Sequence, residues 1–269
     1  MSWGSTSSRL PLRIKSFSIV LGLLASIILT ANFLAAPYKE PLPFCHGKAV
    51  WQHKAYRQHP DLGGYVGSID RVIQSGFCGV ELDVIWHPDG FFYVAHDPVE
   101  AGAPISDEIK LEYVLSKLGQ SRTHWWLDWK NPELRNVLAA SRSFDDLSKK
   151  YVLPESSLFV ESARLFALSA FSWIGGERIK PVFWVSKSDW QSLNGVLANL
   201  RSIVVLLFRP LRVSMGDERV QQGWGWLMNK SSLFIFTVND ADRIKELLQG
   251  RFDVVLTDLP YSKVVKAGE

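Results

Sequence analysis

The chain has 269 residues, 47% of them hydrophobic and 21% charged, and a formal net charge of +3. That length suits one barrel of roughly 250 residues or two small domains, and the composition excludes collagen-like and disordered chains. No concentrated basic patch is present, which argues against a nucleic-acid partner, and the two cysteines, Cys45 and Cys78, cannot build a four-cysteine zinc site.

The first 16 residues are polar, carry Arg9, Arg13 and Lys15, and are expected to form a cytoplasmic tail. No charge occurs from Ser16 to Tyr38, and residues 17–36 are almost wholly apolar. A bilayer-crossing helix needs about 20 such residues, whereas secretory h-regions run to about 15. Small residues do not fall at both positions of a cleavage site, so this segment is expected to be a transmembrane anchor. A cleaved signal and a secreted protein is the alternative. The preceding basic residues keep the N-terminus in the cytoplasm and the remainder outside. Residues 37–46 read as a Pro-containing linker, and residues 47–269 as one catalytic domain. On the outer side of a membrane Cys45 and Cys78 could pair; unpaired thiols are equally compatible with the sequence.

From residue 48 apolar β-type runs alternate with helical patterns. Residues 48–53 read as a strand, 66–75 as a helix and 78–86 (CGVELDVIW) as a strand in which acidic and apolar residues alternate. An Asp89-Gly90 turn leads to a strand at 91–96. Ser106 is placed to cap a helix through Leu118, without the full capping box. Residues 125–129 read as a strand, followed by a helix with Asn131 as its cap and Pro132 at its first position. Strands follow at 157–160, 180–185, 203–208, 233–238 and 252–257, with helices at 188–200 and 241–248 among the connections. Repeated βα units imply a parallel sheet. About eight of them in this length predict an α/β fold of the (β/α)8 barrel type, preceded by the N-terminal membrane helix.

Functional residues of such barrels sit where strands end at the C-terminal face. His53 ends the first strand; Glu81 and Asp83 share a face of the second, since strand side chains repeat every two residues. His96 and Asp97 end the third, and Asp128 and Lys130 lie two apart at the end of the next. Burying so many charges is costly unless they pair or bind a metal. Three carboxylates suit a hard divalent cation, Mg2+ or Ca2+, and histidines near neutral pH serve as acid and base. Trp86, Trp129 and Trp184 are candidates to line a pocket or to meet lipid headgroups. Thr237 and Asn239 are read as shaping the last βα loop, and Asp258 as capping or bracing the barrel.

The segment GVELDVIWHPDGFFYVAHD resembles the signature of the glycerophosphodiester phosphodiesterases: E-x-D, a D-G turn, then H-D. Asp83 and His96 are thirteen residues apart, and His53 precedes Glu81 by twenty-eight. LDWK at 127–130, and TVND followed by TD-x-P near the C-terminus, are similar to later motifs of that family. The resemblance spans about residues 48–261. It implies Glu81, Asp83 and Asp128 as metal ligands, His53 and His96 as the acid/base pair, and Lys130 as the neutraliser of phosphate charge. The family's Arg after its first histidine is here Lys54, with Arg57 the nearby substitute; both, with Trp184, are expected to bind substrate. The stretch HPDLGGYVGS replaces the family's Pro-Glu-Asn-Thr, and the interval of thirty-two residues from His96 to Asp128 is short. Asp128 stands where the family often has Glu, which is similar to the sphingomyelinase D-like phospholipases. The function implied is a phosphodiester hydrolase. A phospholipase D-like enzyme acting on intact or lyso phospholipids, and a non-catalytic lipid- or phosphate-binding barrel, are the alternatives.

Overall fold

The structure, a computed structural model, describes residues 42–45, 49–59, 61, 63–100, 103–154, 157–175, 179–185, 211–227, 231–250 and 252–268. The anchor expected at 17–36, the tail before it and most of the linker lie outside the described residues. So do the helix expected at 188–200 and the strand expected at 203–208. Among the described residues no helix is long and apolar enough to cross a membrane.

Eight parallel strands close into a barrel. In chain order the strands are β1 (Ala49–Gln52), β2 (Gly79–His87), β3 (Phe91–Val94), β4 (His124–Trp129), β5 (Leu158–Ser162), β6 (Lys180–Val185), β7 (Arg212–Gly216), β8 (Ser232–Phe236) and β9 (Val254–Thr257). The sheet order is β1-β9-β8-β7-β6-β5-β4-β2, and β1 pairs with β2 through Gln52 and Val80 to complete the circle. β3 stands outside it, antiparallel to the upper half of β2. It is the hairpin expected at Asp89-Gly90, where Gly90 takes a positive φ of 93°. Helices α1 (Gly64–Gln74), α2 (Leu111–Leu118), α3 (Val137–Lys150) and α4 (Leu165–Gly175) cover the first half of the barrel. The short α5 (Asp217–Gln221) and α6 (Trp224–Leu227), then α7 (Ala241–Gln249) and α8 (Tyr261–Gly268), follow in the second.

Two apolar layers hold this together. Outward-facing strand residues such as Val80, Leu82, Leu127, Val160, Val213 and Ile235 pack against the helices. Inward-facing Trp51, Trp126, Phe159, Val182, Phe234 and Val254 fill the barrel. The Trp51 indole stacks on His124 with centroids 5.2 Å apart and planes 8° from parallel. Gly79 makes room for that indole: a Cβ there would lie 2.2 Å from the ring. Below this layer a disulfide joins Cys45 to Cys78, tying the chain before β1 to the entry of β2.

Three local readings are corrected. Asn131 does not cap α3; Asn136 occupies that position. Asn131 instead accepts from the backbone N–H of Trp86 and from Trp129 Nε1, and its amide donates to the Trp86 carbonyl. The helix expected from Ser106 is broken at Lys110, whose extended ψ of 134° separates a single 3-10 turn, capped by Ser106, from α2. The strand Arg212–Gly216 was not expected. Only its outward residues Val213 and Met215 join the apolar core, while Arg212, Ser214 and Gly216 lie on its other face. The apolar alternation that marks a strand is therefore too short to register.

Candidate active site

The C-terminal ends of the strands surround a cavity of about 330 Å³. His53, Lys54, Glu81, Asp128, Trp129, Lys130, Glu161 and Trp184 are among the residues that line it. Parallel register explains why acids gather there. β2 and β4 pair with Glu81 opposite Trp126 and Asp83 opposite Asp128, and β4 and β5 pair with Asp128 opposite Glu161. Residues in register on neighbouring strands point the same way, so one face of three strands carries four carboxylates.

One oxygen each from Glu81, Asp83 and Asp128 lies within 4.8 Å of the others. Glu81 and Asp83 are buried and Asp128 half-buried. Burial, then the charges of Asp83 and Asp128, push Glu81 up to about 8. Asp83 goes the other way: burial would raise it, but Lys130 and Tyr56 hold it below the usual carboxylate range. The Tyr56 hydroxyl donates to Asp83 Oδ2 at 2.7 Å, and Lys130 Nζ sits 2.6 Å from Asp83 Oδ1 while also bonding Asp128. These two carboxylates keep the Lys130 ammonium charged against its burial. An all-oxygen donor set of acids short of positive charge fits a hard divalent cation.

His53 follows β1, held by a bond from its backbone N–H to the Thr257 carbonyl. Its ring reaches two acids: Nδ1 lies 2.7 Å from Asp258 Oδ1, and Nε2 is 3.6 Å from Glu81 Oε2. Burial lowers its pKa more than Asp258 raises it. Asp258 is fixed in turn by Asn239, whose amide donates to Oδ2 at 2.8 Å and whose Oδ1 accepts from the Asp258 backbone N–H at 2.7 Å. Asp258, expected to cap or brace the barrel, instead holds the His53 ring. Lys54 adopts a left-handed conformation, φ 45° and ψ 52°, which costs a non-glycine residue on the order of 1–3 kcal/mol. The turn aims its backbone N–H at Glu81 Oε2, 2.9 Å away, and brings Nζ to 3.8 Å from Asp83.

The remaining expected residues separate. Trp184 and Trp129 line the cavity, whereas Trp86 is buried against Phe92. His96 stands beyond β3 with its side chain 40% exposed and Nδ1 bonded to Asp97; it is outside the cavity lining. Arg57 is exposed, its guanidinium 5.3 Å above the Tyr56 ring.

No family model matches the sequence, and no curated protein matches it. Solved structures do. A glycerophosphodiester phosphodiesterase from Parabacteroides distasonis superposes with a TM-score of 0.63 at 17% identity, over 82% of this chain and 97% of that one. An Oleispira antarctica phosphodiesterase, solved in complex with the product sn-glycerol-3-phosphate, gives 0.60 at 17% identity over the same shares. The Thermotoga maritima glycerophosphodiester phosphodiesterase gives 0.56, again at 17% identity, 82% and 97%.

The chain has the glycerophosphodiester phosphodiesterase fold. On this fold the cluster of Glu81, Asp83 and Asp128 faces the C-terminal mouth, where barrels carry their sites.

Sequence reasoning missed Glu161. It lies one residue past the run expected to be β5, a single acid among small and apolar neighbours. Only the pairing of β5 with β4 shows it to be the fourth carboxylate of the mouth. Burial, then Asp128 and Glu81, push it well above the ordinary glutamate range.

Proposed function

We propose that the protein is a metal-dependent phosphodiesterase that hydrolyses glycerophosphodiesters. The observation that carries this reading is the convergence of three metal-competent carboxylates, a lysine and a braced histidine on one cavity of a barrel with this fold. Glu81, Asp83 and Asp128 would hold Mg2+ or Ca2+, which when bound acts as a Lewis acid on a phosphoryl oxygen.

Lys130 places a permanent ammonium beside the same position and neutralises charge that builds on the phosphoryl oxygens. With Nδ1–H donated to Asp258, His53 presents an unprotonated Nε2 to the cavity. It accepts the proton of the attacking hydroxyl or water, in the manner of a carboxylate-oriented base. His96 returns a proton to the leaving alkoxide from the rim. Lys54, Arg57 and Trp184 contact substrate, Lys54 closest to the phosphate. The apolar layer of Trp51, Trp126 and Phe159 beneath the acids excludes water and strengthens each of these interactions.

We further propose that residues 17–36 hold the barrel on the outer face of a membrane. Their uncharged length supports this, and the Cys45–Cys78 disulfide accords with an oxidising compartment.

The test is turnover of glycerophosphodiesters and of bis(p-nitrophenyl) phosphate, with EDTA and with added Mg2+ or Ca2+. Metal-dependent hydrolysis lost in His53→Ala and Asp83→Asn supports the reading. A folded protein inert with every metal would leave a non-catalytic phosphate-binding barrel instead, and a preference for intact phospholipids would shift the substrate to lipid.

A further inference from the structure

The cavity has two unlike halves. One, on β1, β2 and β4, carries His53, Lys54, Glu81, Asp128 and Lys130, the groups that meet phosphate and metal. The other, on β5, β6, β8 and β9, is lined by Glu161, Ala163, Trp184, Phe236 and Leu256. Trp184 and Phe236 lean together, ring centroids 6.4 Å apart and planes 32° from parallel. Glu161 pairs with Val182 in register, so Trp184, two residues further along β6, stands on the same face just above it. Glu161 is 5% exposed, opens on the cavity, and forms no ion pair with any lysine or arginine among the described residues.

A buried acid without a cation is costly. A second metal ion is a poor answer, because divalent cations of this class want several oxygens. The oxygens that converge on one another come from Glu81, Asp83 and Asp128, whereas Glu161 has the Ser214 hydroxyl beside it and shares the far wall of the cavity with two aromatic rings, an alanine and a leucine. A carboxylate that shares a cavity wall with an indole and a phenyl ring matches an organic ammonium: the rings attract it through their quadrupoles and the acid through its charge.

We propose that Glu161, Trp184 and Phe236 form a subsite for a positively charged nitrogen on the alcohol esterified to the substrate phosphate. The subsite makes the enzyme select amino-alcohol diesters over those of neutral polyols. It rests on the phosphodiesterase reading for its substrate, but binding of the ammonium group does not depend on turnover.

The decisive comparison uses the full-length protein and its Glu161→Gln and Trp184→Leu variants. Each is assayed for kcat/KM on glycerophosphocholine and glycerophosphoethanolamine against glycerophosphoglycerol, and titrated with choline by isothermal calorimetry. Glu161→Gln is expected to lower kcat/KM for the two cationic substrates at least tenfold and for the neutral one by less than threefold. It also weakens choline binding at least tenfold and leaves Mg2+ or Ca2+ affinity unchanged. Trp184→Leu costs the choline ester more than the primary amine and serves should Glu161→Gln not fold. Equal losses on cationic and neutral substrates would overturn the proposal, since Glu161 would then serve a group common to all of them. So would a drop in metal affinity, which would make Glu161 a metal ligand. Choline binding that both variants share with the wild type overturns it even if no substrate turns over, whereas inert protein that still binds choline through Glu161 refutes only the phosphodiesterase.

Discussion

Glu81 links the metal site to stability in a way that can be measured without substrate. Its carboxyl is pushed up to about 8 in the bare cluster from an ordinary 4.5. The folded chain therefore binds more protons than the unfolded chain between those values, and stability falls as pH rises through that window. Below about pH 4.5 the cost is absent, and above about pH 8 it is complete. At 1.36 kcal/mol per unit the whole shift amounts to a ceiling of about 5 kcal/mol, with roughly 3 kcal/mol between pH 6 and pH 8. For a domain of this size that is a fall in Tm of about 6–12 °C. The assay is thermal unfolding in EDTA from pH 5 to pH 9, in wild type and in Glu81→Gln, a neutral shape mimic that still offers an oxygen to the Lys54 N–H. Subtracting the variant removes the contributions of groups that do not sense the Glu81 charge. The difference curve should decline with pH and vanish on adding Mg2+ or Ca2+, because the cation replaces the missing positive charge. The metal-induced rise in Tm should also be larger at pH 8.5 than at pH 6, where binding must displace a proton. A difference curve flat from pH 5 to 9, or a metal effect of equal size at both ends, would refute the account of Glu81 as the proton-holding ligand.

Three further outcomes follow from the geometry. Lys130→Met removes the ammonium shared by Asp83 and Asp128; kcat should fall by about 10²–10³-fold, the usual loss for one preorganised donor, while activity measured at saturating substrate shows no rescue by added metal. Asp258→Asn removes the acid that most raises His53, leaving burial opposed by the weaker pull of Asp83. The acidic limb of the pH profile of kcat/KM should move to lower pH as kcat drops, and a limb that stays in place would exclude the His53–Asp258 pair. Cys45→Ser with Cys78→Ser opens a loop of 33 residues, worth up to about 4 kcal/mol by loop-closure entropy. Tm should drop by about 10 °C with kcat at 25 °C unchanged, since the bond lies below the barrel floor and away from the mouth.

How much of this was legible in the chain depends on the distance over which each signal acts. β2 was readable because Glu81 and Asp83 interrupt an apolar run at spacing two, and the fold sets both on one face. The hairpin was readable from Asp89-Gly90, and α7 from its own periodicity. β7 was not, because its inner face carries arginine, serine and glycine, so the pattern contained too few apolar residues to count. Asn131 looked like a helix cap by local sequence. It is spent on Trp86, a residue 45 positions earlier, a partner that only closure of β2 against β4 supplies. Glu161 and the pairing of His53 with Asp258 across 205 residues belong to the same class. Each needs two strands brought into register before its chemistry exists.

The barrel interior shows why the acids are tolerated at all. Trp51, Trp126, Phe159 and Phe234 form one aromatic layer with neighbouring centroids 5.2–6.2 Å apart, with His124 stacked on its lower side. Such a floor raises the cost of every charge directly above it, and that cost is met by arrangement: Lys130 and Tyr56 satisfy Asp83, the Lys54 turn satisfies Glu81, and Lys130 again satisfies Asp128. Glu161 has the Ser214 hydroxyl beside it but no ion pair with a lysine or arginine among the described residues, on the side of the mouth where the walls turn aromatic. The same dry floor that lets three carboxylates suit a hard cation also sets the fourth apart, so the acid cluster and the aromatic wall of the cavity are two consequences of a single packing layer.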